Sequence, residues 1–317
     1  MCSIPSVLLN NGRSVPIIGL GTWRSPPEIV TQAVKDAIDV GYRHFDCAHI
    51  YGNEAEIGNA IATKLEEGVV KREDLFITSK LWNTYHHPSM VRAACETSLK
   101  NLGITYLDSY LIHWPTAFKD GHESYPKDEA GKVIFSNVDI IDTWCAMEQL
   151  VDAGLCYAIG ISNFNVRQIE RLLKAARIRP AILQIECHPY LNQSHIIEFC
   201  RKNEIAVTAY SALGSGHTPY EKPGTYVLLQ HSKIKEIARK YNKSTAQVLL
   251  RYQTQCGKIV IPRSVDKAHM AANLEIFDFN LSLQDINTLD SLDFKGRFLI
   301  MAVAFGHQEY PFEFEEC

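Results

Sequence analysis

The 317-residue chain has no C-x-x-C pair, no H-x-H pair and no G-x-G-x-x-G motif. Each absence excludes a class of protein. Its nine cysteines, an odd number at irregular spacings, form no disulfide framework and point to reduced thiols in a cytoplasmic protein. Without an H-x-H pair at a strand end, no barrel-type metal site is expected. Cys187 and His188 are adjacent, so on a strand they face opposite ways and read as structural. The missing glycine fingerprint removes Rossmann-type dinucleotide binding. No basic stretch interleaves with aromatics and the formal charge is −4, which argues against a nucleic-acid partner. No segment approaches the roughly 18–20 apolar residues of a bilayer span. The opening MCSIPSVLLNNGRSVP lacks the long apolar core of a signal peptide. What remains is ordinary for a soluble protein, with 46% hydrophobic and 21% charged residues. The length suits two average domains or one α/β barrel of about 250 residues plus insertions.

The pattern along the chain favours one barrel. VLLNNGRSVPI reads as a hairpin turning at Asn11-Gly12, placed to plug a barrel bottom. Eight β-like runs follow: 17–22, 43–48, 75–81, 106–114, 157–164, 181–189, 206–213 and 259–265. The intervening segments are long enough for right-handed helical crossovers. PEIVTQAVKDAIDVG begins with prolines and ends at Gly41, as helices often do. NEAEIGNAIATKLEEG has Asn53 as a candidate cap and Gly68 as a stop, and SMVRAACETSLKNLG spaces its apolar residues at three and four. A single closed (β/α)8 TIM barrel over 1–317 is the expectation, with an open doubly wound sheet as the alternative. Three segments exceed connector length: Thr116 to Asn137, Gly214 to Tyr226, and the tail beyond Gly296. Such long loops in a compact domain are read as lids or walls around one mouth.

Asp46 and Tyr51 in RHFDCAHIYGNE, Lys80 in LFITSKLW and His113 in YLDSYLIHWP all sit where an apolar run gives out. Strand ends of a parallel barrel converge on one mouth, so these residues are expected to meet. The set suits carbonyl reduction by hydride. A tyrosine donates the proton that the oxygen needs, but its ordinary pKa of about 10 makes it reluctant near neutrality. Lys80 is expected to lower that pKa, with Asp46 as its counter-ion and His113 donating a hydrogen bond that orients the substrate oxygen. A hydride source completes the set.

At these residues the chain closely resembles the aldo-keto reductases, in their aldose-reductase-like branch. The resemblance covers nearly the whole chain: GLGTW (19–23), the YGNE run after Asp46, ITSKLWNTYHHP (77–88), LIHWP (111–115), GISNFN (160–165), QIECHPYLNQ (184–193), AYSALGS (209–215) and IPRS (261–264). It implies a (β/α)8 fold, usually monomeric, reducing aldehydes or ketones with NADPH. By position it makes Tyr51 the general acid, Lys80 and Asp46 its activating pair, and His113 the orienting residue. Ser162, Asn163 and Gln184 match contacts to the nicotinamide carboxamide, Tyr210 the stacking aromatic, and Thr22 a further cofactor contact. Ser211, Leu213 and Ser215 match the pyrophosphate loop. Arg263 and Ser264, with Val265 beside them, match the 2′-phosphate site, where a guanidinium suits a dianion. Asn273 matches an adenine contact.

The resemblance also places Trp23, Ile50, Trp82, Trp114, Tyr125, Tyr220, Leu299, Met301 and Tyr310 around the substrate mouth. An apolar slot with few polar anchors suits many lipophilic carbonyls. Departures from the family pattern bear on detail. His269 stands where an arginine usually helps grip the 2′-phosphate, and Ala272 where a glutamate is usual, so NADH is expected as a weaker alternative to NADPH. His217 replaces an aspartate that latches onto basic residues matching Arg24 and Arg263, which implies faster NADP⁺ release. Leu299 and Ala304 each replace a cysteine. The substrate stays open among aromatic, aliphatic and open-chain sugar aldehydes and ketosteroids. Two readings from other classes remain: a non-catalytic NADP(H)-binding regulatory subunit and a crystallin-like structural protein.

Overall fold

A computed structural model of the protein describes residues 4–214 and 227–312. Its centre is a ring of eight parallel strands in sequence order. After the hairpin strands β1 (Ser6–Leu8) and β2 (Ser14–Pro16) come β3 (Leu20–Gly21), β4 (His44–Asp46), β5 (Phe76–Leu81) and β6 (Leu107–Ile112). β7 (Cys156–Ser162), β8 (Ile182–Glu186), β9 (Ala206–Tyr210) and β10 (Ile259–Val260) follow. All eight predicted strands are present, each shorter than its apolar run. Closure is made by main-chain bonds between the two edges: Gly19 N–H donates to Val260 O at 2.8 Å, Val260 N–H to Ile17 O at 2.9 Å and Gly21 N–H to Pro262 O at 3.1 Å. Gly21 is required there, because a Cβ on it would lie 2.5 Å from Ile261 O. The barrel is therefore closed, and the open doubly wound alternative falls away.

The strands are buried on both faces, as parallel strands are. The hairpin plugs one end of the interior as expected. Its Leu9 and Val15 pack with Phe76, Leu111, Ile182 and Ile259, and Asn10 and Asn11 donate side-chain bonds to Pro180 O and Tyr157 O. The helices are α1 (Pro27–Val40), α2 (Glu54–Glu66), α3 (Pro88–Leu102), α4 (Ile140–Asp152), α5 (Val166–Ala175), α6 (Ser194–Lys202), α7 (Ser232–Tyr241), α8 (Thr245–Gln255), α9 (Lys267–Leu274) and α10 (Leu283–Asp290). The crossover helices wrap the sheet until α9 reaches α1, while α7, α8 and α10 share a separate apolar cluster with Tyr190 and Phe298. No helix among the described residues is long and apolar enough to cross a membrane.

Asn53 departs from its expected role. Its side chain does not cap α2; the amide instead donates to Thr22 O and Ser25 O, both at 3.0 Å. Those two carbonyls belong to the turn after β3, and a primary amide reaching across satisfies more buried acceptors than a cap would.

Candidate active site

At the ends of the strands opposite the hairpin lies a cavity of about 1130 Å³. It draws residues from all parts of the chain because each strand delivers its last side chains to the same rim. Asp46 ends β4 and Lys80 is the penultimate residue of β5. His113 follows β6, Ser162 ends β7 and Tyr210 ends β9. Tyr51 ends the short 3-10 turn His49–Tyr51 after β4.

The four candidate catalytic residues come together. The Lys80 ammonium donates to both Asp46 carboxylate oxygens at 2.8 Å, to Cys47 O at 2.9 Å and to the Tyr51 hydroxyl at 3.3 Å. Gln184 Nε2 donates to Asp46 Oδ1 at 2.7 Å. Lys80 is fully buried and Asp46 nearly so. Such a pair persists only because its donors and acceptors are matched. The Tyr51 and His113 rings meet edge-on with centroids 5.7 Å apart, and Trp82 is edge-on to His113 at 5.4 Å. Burial, with the Lys80 charge added, holds His113 well below the usual histidine range, so it is a neutral imidazole. Its Nδ1 has no partner among the described residues.

Tyr51 requires a correction. Burial, followed by the Asp46 charge, raises its phenol well above 10. Burial outweighs the lowering expected from the Lys80 ammonium 3.3 Å away. The resting group is therefore the neutral phenol, the form that can give up a proton, and the ammonium beside it is positioned to stabilise the phenolate formed when it does so.

The remaining candidates separate. Ser162, Asn163, Gln184, Tyr210, Ser211, Leu213 and Arg263 line the cavity. The Tyr210 hydroxyl donates to Asn163 Oδ1 at 2.7 Å, and Asn163 Nδ2 donates to His113 O and Ser162 Oγ. Arg24, Asn163, Ser211 and Met301, all at the cavity, have φ of 57°, 62°, 52° and 47°. Left-handed non-glycine backbone collects where geometry is over-determined by function. Thr22 is buried behind the rim, where its hydroxyl donates to Asp46 O at 2.9 Å. Ser264, Val265, His269 and Asn273 lie beyond the cavity. Ser264 Oγ accepts from Asp266 N–H, Val265 and His269 are exposed, and Asn273 is buried beside Tyr42. Ser215 and His217 fall outside the described residues.

Trp23, Ile50, Trp82, Trp114, Tyr125, Leu299 and Met301 line the mouth. Tyr220 lies outside the described residues. Tyr310 is buried in the wall behind the mouth; its hydroxyl donates to Ile300 O and its ring packs on Phe305 and Phe312. The Thr116–Asn137 segment and the tail meet there, in a cluster of Trp82, Trp114, Phe118, Ala304 and Tyr310. Trp82 Nε1 donates to Ser124 O at 2.8 Å and fixes that segment over the cavity. Among the described residues, no three His, Cys, Asp or Glu side chains are grouped to hold a metal ion.

Sequence reasoning gave no role to Glu186, read His188 only as structural, and gave Asn53 a cap rather than the amide bridge to Thr22 O and Ser25 O. The signal for Glu186 was present: a carboxylate between Ile185 and Cys187 in an apolar strand is a buried charge in need of donors.

Comparison with known proteins agrees with this geometry. A profile of the Aldo/keto reductase family matches residues 17–293. Aldo-keto reductase family 1 member A1 of Gallus gallus is 48% identical over 316 residues, covering 96% of this chain and 97% of that protein. The protein of the same name from Homo sapiens is 45% identical over 316 residues, covering 96% and 97%. The structure of the aldose reductase from Schistosoma japonicum superimposes with a TM-score of 0.93 at 47% identity, covering 98% of this chain and 100% of that one.

Proposed function

The chain belongs to the aldo/keto reductase family and is an oxidoreductase, and from that premise we propose that it reduces aldehydes and ketones to alcohols with NADPH, Tyr51 serving as the acid. The observation that carries this reading is the neutral Tyr51 phenol 3.3 Å from a buried ammonium and beside a neutral imidazole, all at one cavity.

The cavity residues fit a nicotinamide dinucleotide. Tyr210 offers a ring face beside Ser162, Asn163 and Gln184, and Thr22 supports the rim behind them. Ser211 and Leu213 edge the middle, next to Ser215 in sequence. Arg263 supplies a guanidinium for phosphate, its Nη1 3.2 Å from Arg24 O. Ser264, Val265, His269 and Asn273 on the adjoining loop and α9 are the proposed 2′-phosphate and adenine end, with His269 making NADH a weaker alternative. When bound, the reduced nicotinamide supplies hydride to the carbonyl carbon.

The protein's own groups do the rest. His113 is neutral, so it donates one hydrogen bond to the carbonyl oxygen without protonating it, and holds that oxygen toward Tyr51. Tyr51 gives its proton as negative charge develops on the oxygen. Lys80 stabilises the phenolate in that moment, and Asp46, held by Lys80 and Gln184, keeps the ammonium aimed. Preorganised charge of this kind costs no solvent reorganisation during the reaction. Trp23, Ile50, Trp82, Trp114, Tyr125, Leu299 and Met301 exclude water and favour lipophilic carbonyls of several shapes, with Tyr310 packed behind them; ketosteroids remain a substrate option. The protein is read as one domain working as a monomer.

The test is Tyr51→Phe. NADPH-dependent reduction of a simple aromatic aldehyde should fall about 10²–10⁴-fold, while NADPH binding, followed by fluorescence, persists. Full turnover in the variant would remove Tyr51 from the acid role.

A further inference from the structure

Resting on the reductase reading above, we propose that Glu186 is a specificity-determining positioning residue: its carboxylate anchors the backbone of Phe298 and Leu299 and so fixes the Leu299 wall of the carbonyl pocket. Glu186 ends β8 and is fully buried. A carboxylate in such a place needs donors. Among the described residues it has three: the Phe298 N–H at 2.6 Å to Oε1, the Leu299 N–H at 2.8 Å to Oε2, and His188 Nε2 at 2.8 Å to Oε1. The His188 ring packs on Phe298 with centroids 4.6 Å apart, so ring and carboxylate grip the same residue from two sides.

Two consecutive amides directed at the two oxygens of one carboxylate fix the orientation of the peptide that joins them. The Leu299 side chain faces the cavity as a consequence. No helix or strand holds 298–301, so this segment has no secondary-structure ladder to locate it. Met301 then turns away with φ 47° into the short turn Ala302–Ala304. On the sheet, Glu186 pairs in register with Tyr210, whose ring lines the same cavity. One strand end thus sets the distance between the cavity floor and the tail wall. Glutamine cannot replace the carboxylate, because its amide group would set a donor against one of the two N–H groups.

The experiment compares wild type, Glu186→Gln, Leu299→Ala and the double variant. Each is assayed with NADPH on propanal and on 4-nitrobenzaldehyde, with NADPH affinity by fluorescence and with amide exchange at Phe298 and Leu299 in the protein alone. Glu186→Gln should raise KM for the bulky aldehyde about tenfold, the scale of one lost hydrogen bond to a charged group. kcat for propanal should fall less than about twofold, the scale of a change well under one hydrogen bond. Exchange at the two amides should accelerate, and Leu299→Ala should add little in the Glu186→Gln background. Unchanged exchange, an equal fall in kcat for both aldehydes, or additive effects would overturn the proposal. If wild type reduces neither aldehyde, the reductase reading fails instead; faster exchange in Glu186→Gln then still supports the anchor and unchanged exchange still overturns it. Should Glu186→Gln fail to fold, Leu299→Pro against Leu299→Ala carries the same test, since both lose side-chain bulk but only proline lacks the N–H. A higher KM for the bulky aldehyde in the proline variant supports the anchor, and equal values overturn it.

Discussion

Lys80→Met separates what the buried ion pair does for folding from what it does for the proposed chemistry. The ammonium makes two 2.8 Å contacts to Asp46 and one of 2.9 Å to Cys47 O, all in a site closed to solvent. Removing it leaves the Asp46 carboxylate buried with the Gln184 amide but no opposite charge. Breaking a buried pair in this way costs about 3–5 kcal/mol, a large share of a typical stability of about 5–15 kcal/mol. A fall in Tm on the order of 10 °C should follow. Turnover should fall about 10²–10⁴-fold, the range for a disabled proton donor. The double variant Lys80→Met/Asp46→Asn removes the orphaned charge as well. It should regain most of the lost stability and none of the activity, because the introduced amide has no charge to bury and Tyr51 still lacks its ammonium. Thermal unfolding and aldehyde-dependent NADPH consumption read the two effects independently. Recovery of activity in the double variant, or a single variant as stable and active as wild type, would refute the assignment of Lys80 to both roles.

Three further outcomes are expected. Burial lowers His44 to about 4 and His86 to about 3, and holds His113 well below its usual value, so all three fold as neutral rings. The unfolded chain takes up protons first, so stability is complete above about pH 6.5 and drains away as pH falls toward those folded values. Urea midpoints that do not drop between pH 7 and pH 5 would contradict this. Arg263→Ala should weaken NADPH binding about tenfold or more while leaving NADH nearly unchanged, because a 2′-phosphate loses its charge-assisted contact; fluorescence titration with both cofactors checks it. His217→Asp should slow NADP⁺ release, since a carboxylate could then latch onto basic residues of the Arg24 and Arg263 type. Stopped-flow release as fast as in wild type would remove the latch argument.

The barrel was legible because its signals are local. Each apolar run bounded by a polar strand end is a property of a few consecutive residues, and Asn11-Gly12 announces a hairpin without help from the rest of the chain. The four candidate catalytic residues were legible for the same reason. Asp46, Lys80 and His113 interrupt apolar runs, and barrel topology turns separated strand ends into neighbours. Asn53 misled because a helix cap and a long-range amide bridge look alike in sequence. Tyr310 misled because an aromatic in a tail without secondary structure faces the pocket or the wall depending on packing alone.

The sequence by itself determined the strand order, the plug and the identity of the groups that meet, since these follow from periodicity and chain topology. Tertiary structure decided the electrostatic state of those groups. How far Lys80 offsets the burial and the Asp46 charge that raise the Tyr51 pKa is a matter of distances and enclosure. It decided too that Glu186 reaches the amides of a tail 112 residues away. Such a contact leaves no local pattern, because only folding brings its two ends into one water-excluded space.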